Sequence, residues 1–204
     1  MKKLYGSIRA DIDIIADLVE PGSQILDLGC GDGEILKKLI FDKKCRGHGV
    51  ELYHDSIIAC VEKGVPVIHG NLDEGLNDYQ DHSFDYVILS RTLQVVHKPH
   101  LLLREMIRIG KTCIVSVPNF GHVKVRSYLF FRGRMPVTRE LPYQWYDTPN
   151  IHLLTVRDFY TLCKAEKIEI IKQINLKHGS RKGFWAGLYP NLFAEQVIFT
   201  IRQL

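Results

Sequence analysis

Apolar and polar positions along this chain follow two rhythms. Apolar runs of strand length stand at residues 25–29, 47–51, 65–69, 83–90 and 111–117, and again at 168–176 and 194–201. Several intervals between them carry apolar residues at helical spacing instead. Ile12, Ile14, Ile15, Leu18 and Val19 make such a stripe over 9–20, which stops at Pro21-Gly22. Further helices are predicted over 34–41, 55–63 and 99–109, the last with Leu102, Met106 and Ile109 on one face and Gly110 as its stop. Val87-Ile88-Leu89 is apolar on both faces, as a central parallel strand requires. Strands alternating with helices in this way predict an α/β fold with a doubly wound, mostly parallel sheet of seven strands and helices on both faces.

The rhythm breaks at Pro118. Residues 118–150 hold four prolines, and Phe120, Tyr128, Phe130, Phe131, Tyr143, Trp145 and Tyr146 are interleaved with Lys124, Arg126, Arg132, Arg134 and Arg139. A connection this long needs a function, so 118–152 is expected to be a lid or a partner-binding insertion within a single domain spanning 1–204. Thr155 then caps a helix to about Ala165, and a second loop rich in glycine and aromatics runs from His178 to Asn191.

Composition narrows the class. The chain is 46% hydrophobic and 25% charged, the balance of a globular protein. No apolar run approaches the ~18 residues of a membrane span, and Asp11 and Asp13 interrupt any leader-like core after Lys2 and Lys3. Cys30, Cys45, Cys60, Cys113 and Cys163 are odd in number and form no C-x-x-C pair, which predicts reduced thiols in a cytoplasmic protein and no metal site. His97 and His100 lie one helical turn apart, but with no third ligand they read as helix-entry residues. Residues 1–100 carry a net charge of −5 and residues 101–204 a net charge of +9. The basic half suits an acidic substrate, protein surface or nucleic acid, or is simply a solvated face.

The candidate chemistry centres on Ile25-Leu-Asp-Leu-Gly-Cys-Gly-Asp-Gly33, a buried strand running into a glycine turn and then a helix. Such a turn lets backbone approach a ligand, and the first N–H groups of the helix are open to bind it. Glycines at 29, 31 and 33, with Glu34 next, do not match the dinucleotide spacing G-x-G-x-x-G. The acidic Asp27 and Asp32 suit a ligand with amino and hydroxyl donors better than a pyrophosphate. Glu51 ends the second strand about 20 residues past the glycine turn, where a carboxylate can accept from ribose hydroxyls. Leu52 follows and can lie on an adenine face. Asn71 and Leu72 follow the third strand. Ser90 ends the fourth strand. Asp27, Glu51, Asn71 and Ser90 thus all fall at strand carboxyl ends, where ligands of open α/β sheets sit.

The turn resembles the acidic-x-G-x-G-x-G loop of class I S-adenosylmethionine (SAM) methyltransferases. Leu26-Asp-Leu-Gly-Cys-Gly-Asp-Gly33, Phe84-Asp-Tyr-Val-Ile-Leu-Ser90 and Val117-Pro-Asn-Phe-Gly-His122 resemble the MetW family of methionine-biosynthesis proteins. So do Gly133-Arg-Met-Pro-Val-Thr138 and Leu141-Pro-Tyr-Gln-Trp-Tyr-Asp-Thr-Pro-Asn-Ile-His152, blocks that general methyltransferases lack. The family commonly has Gly-Asp-Leu-Asp where this chain has Gly70-Asn-Leu-Asp73. The resemblance implies a class I, Rossmann-like methyltransferase fold and a SAM or S-adenosylhomocysteine site. That site would involve Asp27, Gly29, Cys30, Gly31, Gly33, Glu51, Leu52, Asn71, Leu72 and Ser90. It also implies that the protein supports or activates a homoserine O-acyltransferase.

A catalytic group is not legible. Ser90, Arg91, His122 and the 143–152 stretch lie near the expected site, but the Asn/Asp-Pro-Pro-aromatic signature of N-methyltransferases is absent, and so is a cysteine pair suited to cytosine chemistry. The alternatives that remain are a small-molecule methyltransferase and, further off, an RNA methyltransferase. Nucleic acid is not the expected partner, because Pro142-Tyr-Gln-Trp-Tyr-Asp147 carries few charges and reads as a protein-contact or lid element.

Overall fold

The computed structural model describes residues 10–138, 140–177 and 184–204. Lys2, Lys3, the first residue of the predicted 9–20 helix, Arg139 and the 178–183 part of the second loop lie outside the described residues. The chain runs α1 (Ala10–Leu18), β1 (Gln24–Leu28), α2 (Glu34–Lys43), β2 (Arg46–Glu51), α3 (His54–Glu62), β3 (Val67–His69), a 3-10 turn (Leu72–Glu74), β4 (Phe84–Ser90), α4 (Pro99–Ile109) and β5 (Gly110–Pro118). It continues through α5 (Val123–Arg132), α6 (Val156–Ala165), β6 (Ile168–Leu176), α7 (Phe184–Leu188), α8 (Pro190–Phe193) and β7 (Gln196–Gln203).

All seven strands join one sheet in the order β3-β2-β1-β4-β5-β7-β6. The first five are parallel, and β7 runs antiparallel between β5 and β6. Alternate residues feed two cores. Leu26, Val87, Val115 and Phe199 face one layer with α4 and α6, where Phe159 stacks on Phe199 at 4.3 Å. Ile25, Ile88, Ile114 and Ile198 face the other, with Ile15 of α1 and Leu36 and Leu39 of α2. Strands β1 and β4 are neighbours, yet their connections leave in opposite directions along the sheet. The carboxyl ends of the strands at such a reversal are the usual ligand position in open α/β sheets.

The structure differs from the sequence reading in three places. The third strand is shorter than 65–69, beginning at Val67. The segment after Pro118 contains α5, a helix with almost no buried face to reveal it, since only Val125 is buried. Its ends hold it instead. The His122 Nδ1 accepts from the Lys124 N–H at 3.1 Å, and Gly133, at φ 58°, donates to the Leu129 carbonyl at 2.9 Å. The second loop contains α7 and α8, two short helices.

Helix α6 opens with a reciprocal cap. The Thr155 hydroxyl accepts from the Asp158 N–H at 3.3 Å, and the Asp158 carboxylate accepts from the Thr155 N–H at 2.8 Å. Thr155→Ala is expected to cost about 1 kcal/mol, lowering the melting temperature by roughly 2–4 °C. A thermal melt followed by circular dichroism checks this. No shift would mean that packing of Phe159 alone sets the helix start.

Candidate functional site

The glycine turn lies at the reversal point. Asp27, fully buried, sits on β1 between Gly49 of β2 and Ile88 of β4. The chain then turns through three left-handed glycines, Gly29, Gly31 and Gly33, into α2. The turn hangs on β2, because the Val50 carbonyl accepts from the Gly29 N–H at 2.8 Å and from Cys30 at 3.2 Å. A side chain at Gly29 would strike Thr92 at 2.6 Å, so the loop after β4 packs against it. At Gly31 a side chain would meet nothing within 4 Å. There the backbone borders open space, as a ligand cradle requires.

Glu51 ends β2 with its carboxylate turned back over this turn. Oε2 accepts from the Gly31 N–H at 2.8 Å, and Oε1 accepts from Leu52 at 2.9 Å and Tyr53 at 3.0 Å. It therefore braces the turn and caps the entry to α3, a role the sequence does not announce. A carboxylate offers about four acceptor positions, so one is left for a ligand hydroxyl. Leu52 is substantially exposed beside it. The Asn71 amide oxygen caps the 3-10 turn at the Asp73 N–H, 3.1 Å away, and its nitrogen donates to Glu74 at 3.1 Å. Leu72 packs partly against the core. Asp73 also accepts from the His97 N–H at 2.7 Å, which ties the end of β3 to the loop after β4.

Cys30 turns its thiol inward. Its sulfur lies 3.9 Å from that of Cys60, which in turn donates to the Gly31 carbonyl at 3.2 Å. Burial, foremost, and Asp27 nearby push the Cys30 thiol far up. The side chain thus holds the turn to α3. All five cysteines are free and buried. Burial also pushes Cys113 and Cys163 up to about 12. Thiols so placed are expected to resist a thiol reagent at pH 8 in the native protein and to react fully in denaturant.

Ser90 joins a second cluster beside the turn, and its hydroxyl lies 3.1 Å from that of Ser116 on β5. Arg91 follows in a left-handed conformation, φ 58°, its N–H donating to the Ser116 carbonyl at 3.0 Å and hydroxyl at 3.1 Å. Its guanidinium donates to the Gln196 amide oxygen of β7 at 2.8 Å and to Glu140, and it lies 3.4 Å from Asp11 of α1. Gln196 in turn donates to Asp11 at 3.2 Å and to Ser116 at 3.3 Å. Asp11, Ser116 and Gln196 are all buried. Sequence reasoning missed Asp11, Ser116, Glu140 and Gln196. They come from distant parts of the chain, and no local motif joins them. The one available signal was an aspartate inside an otherwise apolar helix stripe. His122, also proposed near the site, is spent on the cap of α5.

Residues 9–201 match the family described as methionine biosynthesis protein MetW. The chain belongs to the MetW family. It is 33% identical over 177 residues, 82% of its length, to the bifunctional methionine biosynthesis protein MetXA/MetW of Rhodopirellula baltica, of which the match covers 28%. It is 31% identical over 134 residues to the demethylmenaquinone methyltransferase of Listeria welshimeri, covering 58% of this chain and 56% of that one. The chain therefore spans about a quarter to a half of these curated relatives. A SAM-dependent methyltransferase from Mesorhizobium loti superposes with a TM-score of 0.70 at 16% identity, covering 97% of this chain and 99% of that one. This MetW-family chain therefore has the class I SAM-dependent methyltransferase fold. No helix among the described residues is long and apolar enough to cross a membrane.

Proposed function

We propose that this cytoplasmic protein binds SAM, or S-adenosylhomocysteine, at the carboxyl edge of the sheet and supports a homoserine O-acyltransferase of methionine biosynthesis. The observation that carries the partner is the MetXA/MetW relative, which joins a stretch similar to this chain and a second activity in one polypeptide. The residues at this edge fit the cofactor. Gly31 offers open backbone, Asp27 and Glu51 offer buried carboxylates for amino and hydroxyl donors, and Leu52 offers an exposed apolar side chain. Asn71 stands in place of an acid at the adenine end. When bound, SAM carries a sulfonium methyl group, and SAM derives from methionine. A SAM site on a protein that supports methionine synthesis thus couples supply to demand.

The 118–152 segment supplies the partner surface. It is pinned at its end, where the Gln94 carbonyl accepts from the Ile151 and His152 N–H groups, both at 3.0 Å. Yet it holds outward Phe130 (82% exposed), Phe131 (76%), Trp145 (71%) and Tyr146 (72%). Exposed aromatics of this size in one segment mark a protein contact. The test is co-purification with a homoserine O-acyltransferase and its rate with and without this chain. Phe130→Ser with Phe131→Ser is expected to weaken the complex by about tenfold or more, equivalent to ~1.4 kcal/mol, with an unchanged melt. No complex and no rate change would remove the partner reading. For the cofactor, calorimetry should show SAM binding to wild type and none to Asp27→Ala; equal binding would displace the site.

A second reading, a small-molecule methyltransferase, is favoured by the likeness to a demethylmenaquinone methyltransferase and by the polar cluster around Arg91. Turnover of SAM to S-adenosylhomocysteine with a metabolite extract would support it. An RNA substrate would require binding at low salt, where phosphate contacts are strongest.

A further inference from the structure

Several arginines of this chain are spent on its own fold. Arg104 pairs with Glu166, Arg108 with Asp81 and Glu105, and Arg202 with Glu169. Within α5, Arg126 donates to the Gly121 carbonyl at 2.5 Å, and Lys124 pairs with Glu195 at 3.3 Å. Arg132 and Arg134, at the far end of α5, differ. Both are exposed, and neither has a hydrogen-bond or ion-pair partner among the described residues. Gly133 closes the helix between them, and every residue from 130 to 135 is exposed, Phe130, Phe131 and Met135 included. Residues 119–139 contain no Asp or Glu, so no acid within this stretch offsets the charge.

Two large rings in water beside two unpaired guanidiniums narrow the choice of occupant. The Phe130 and Phe131 rings meet edge to face, 5.0 Å between centroids and 90° between planes. Rings set at right angles fill a pocket well, but they do not present the parallel faces on which successive nucleobases stack. Anionic lipid surfaces are held by clusters of about 4–8 basic residues, and Lys124 and Arg126 are already engaged. A protein surface suits both features. Aromatic anchors seat in apolar pockets, and a guanidinium fork matches a carboxylate bidentately.

We propose that the end of α5 is a plug for an acidic socket on the acyltransferase, with Phe130 and Phe131 filling an apolar pocket and Arg132 and Arg134 pairing with carboxylates at its rim. This rests on the partner reading above and adds the charge of the partner's surface, since a basic rim there would repel this stretch. The two residue types then have separable effects. Rim arginines act through water during approach, so they set the rate of association and its dependence on salt. The seated rings act once the complex has formed, so they set the rate of dissociation.

Surface plasmon resonance of the full chain with the homoserine O-acyltransferase of the same organism tests this. The variants are Arg132→Gln with Arg134→Gln, Arg132→Glu with Arg134→Glu, and Phe130→Ser with Phe131→Ser. All four positions are exposed, so each variant is expected to melt as wild type, which circular dichroism verifies. Raising salt from about 0.1 M to about 1 M shortens the Debye length from ~10 Å to ~3 Å and should slow association of wild type about fivefold. The glutamine pair should associate about fivefold more slowly at the lower salt, with a flatter salt dependence, and the glutamate pair more slowly still. The serine pair should dissociate about tenfold faster and keep the wild-type salt dependence. A complex whose association is indifferent to salt and to both arginine pairs overturns the acidic socket and leaves the partner reading standing. Unchanged dissociation of the serine pair overturns the plug. Binding to phosphatidylserine vesicles that the glutamine pair abolishes overturns the proposal in favour of a lipid surface. No complex with wild type overturns the partner reading, and this inference with it.

Discussion

Gly47→Ala is expected to leave no cooperatively folded protein. Gly47 lies in β2 directly across from Ile25 of β1, at φ 153°. A Cβ built there falls 1.8 Å from the Ile25 carbonyl oxygen and 2.8 Å from its carbon. The obstacle is backbone, and that backbone cannot retreat, because β1 is hydrogen-bonded to β2 on one side and β4 on the other. Relief would require breaking the centre of the sheet, and the whole fold is worth only about 5–15 kcal/mol. Two glycines nearby give the contrast. At Gly49 a Cβ meets the Cys30 and Leu36 side chains, at 2.3 Å and 2.9 Å, which can shift; overpacking there costs about 1–3 kcal/mol. At Gly31 it meets nothing, so Gly31→Ala costs only the left-handed backbone term of about 1–2 kcal/mol. Soluble yield and a circular dichroism melt of the three variants check the order. A cooperative melt for Gly47→Ala at the wild-type temperature would contradict it.

Gly47 and Gly49 also show where legibility ends. Both were visible in the sequence as part of a short strand, but a glycine's reason lies in what its missing side chain would hit. That partner is 22 residues away for Gly47 and across the sheet. What could be read was whatever depends on local order. Val87-Ile88-Leu89 read as central because both faces are apolar, and its alternate residues do feed both cores. The strand ends carrying Asp27, Glu51, Asn71 and Ser90 were legible because strand length and turn chemistry are local. Helix α5 was not, since two caps hold it and it lacks a buried stripe. The Arg91 cluster was not either. Asp11 and Gln196 stand 185 residues apart and meet only because β7 inserts antiparallel beside β5. Local pattern announces strands and turns; polar networks between elements appear only with the topology.

Glu51→Ala should combine a large loss of stability with loss of the ligand response. The Glu51 carboxylate satisfies three backbone donors, those of Gly31, Leu52 and Tyr53. Hydrogen bonds to a charged group are worth about 1.5–3 kcal/mol each. Leu52 and Tyr53 are exposed enough for water to replace part of theirs. The expected net cost is therefore about 3–5 kcal/mol, below the simple sum, with a melting temperature lower by roughly 10 °C or more. The second effect is separable from the first. SAM at about 100 times its dissociation constant stabilises a competent protein by ~2.7 kcal/mol, which raises the melt by roughly 5–10 °C. Wild type should show that increment. Glu51→Ala should not show it even where it is still folded, because the proposed acceptor for a ribose hydroxyl and the brace on Gly31 vanish together. Glu51→Gln divides the two roles, keeping one oxygen to accept backbone donors while losing the charge that favours a ligand hydroxyl. It should recover part of the stability and little of the increment. A full SAM increment in Glu51→Ala would place the ribose elsewhere and leave Glu51 as a structural brace.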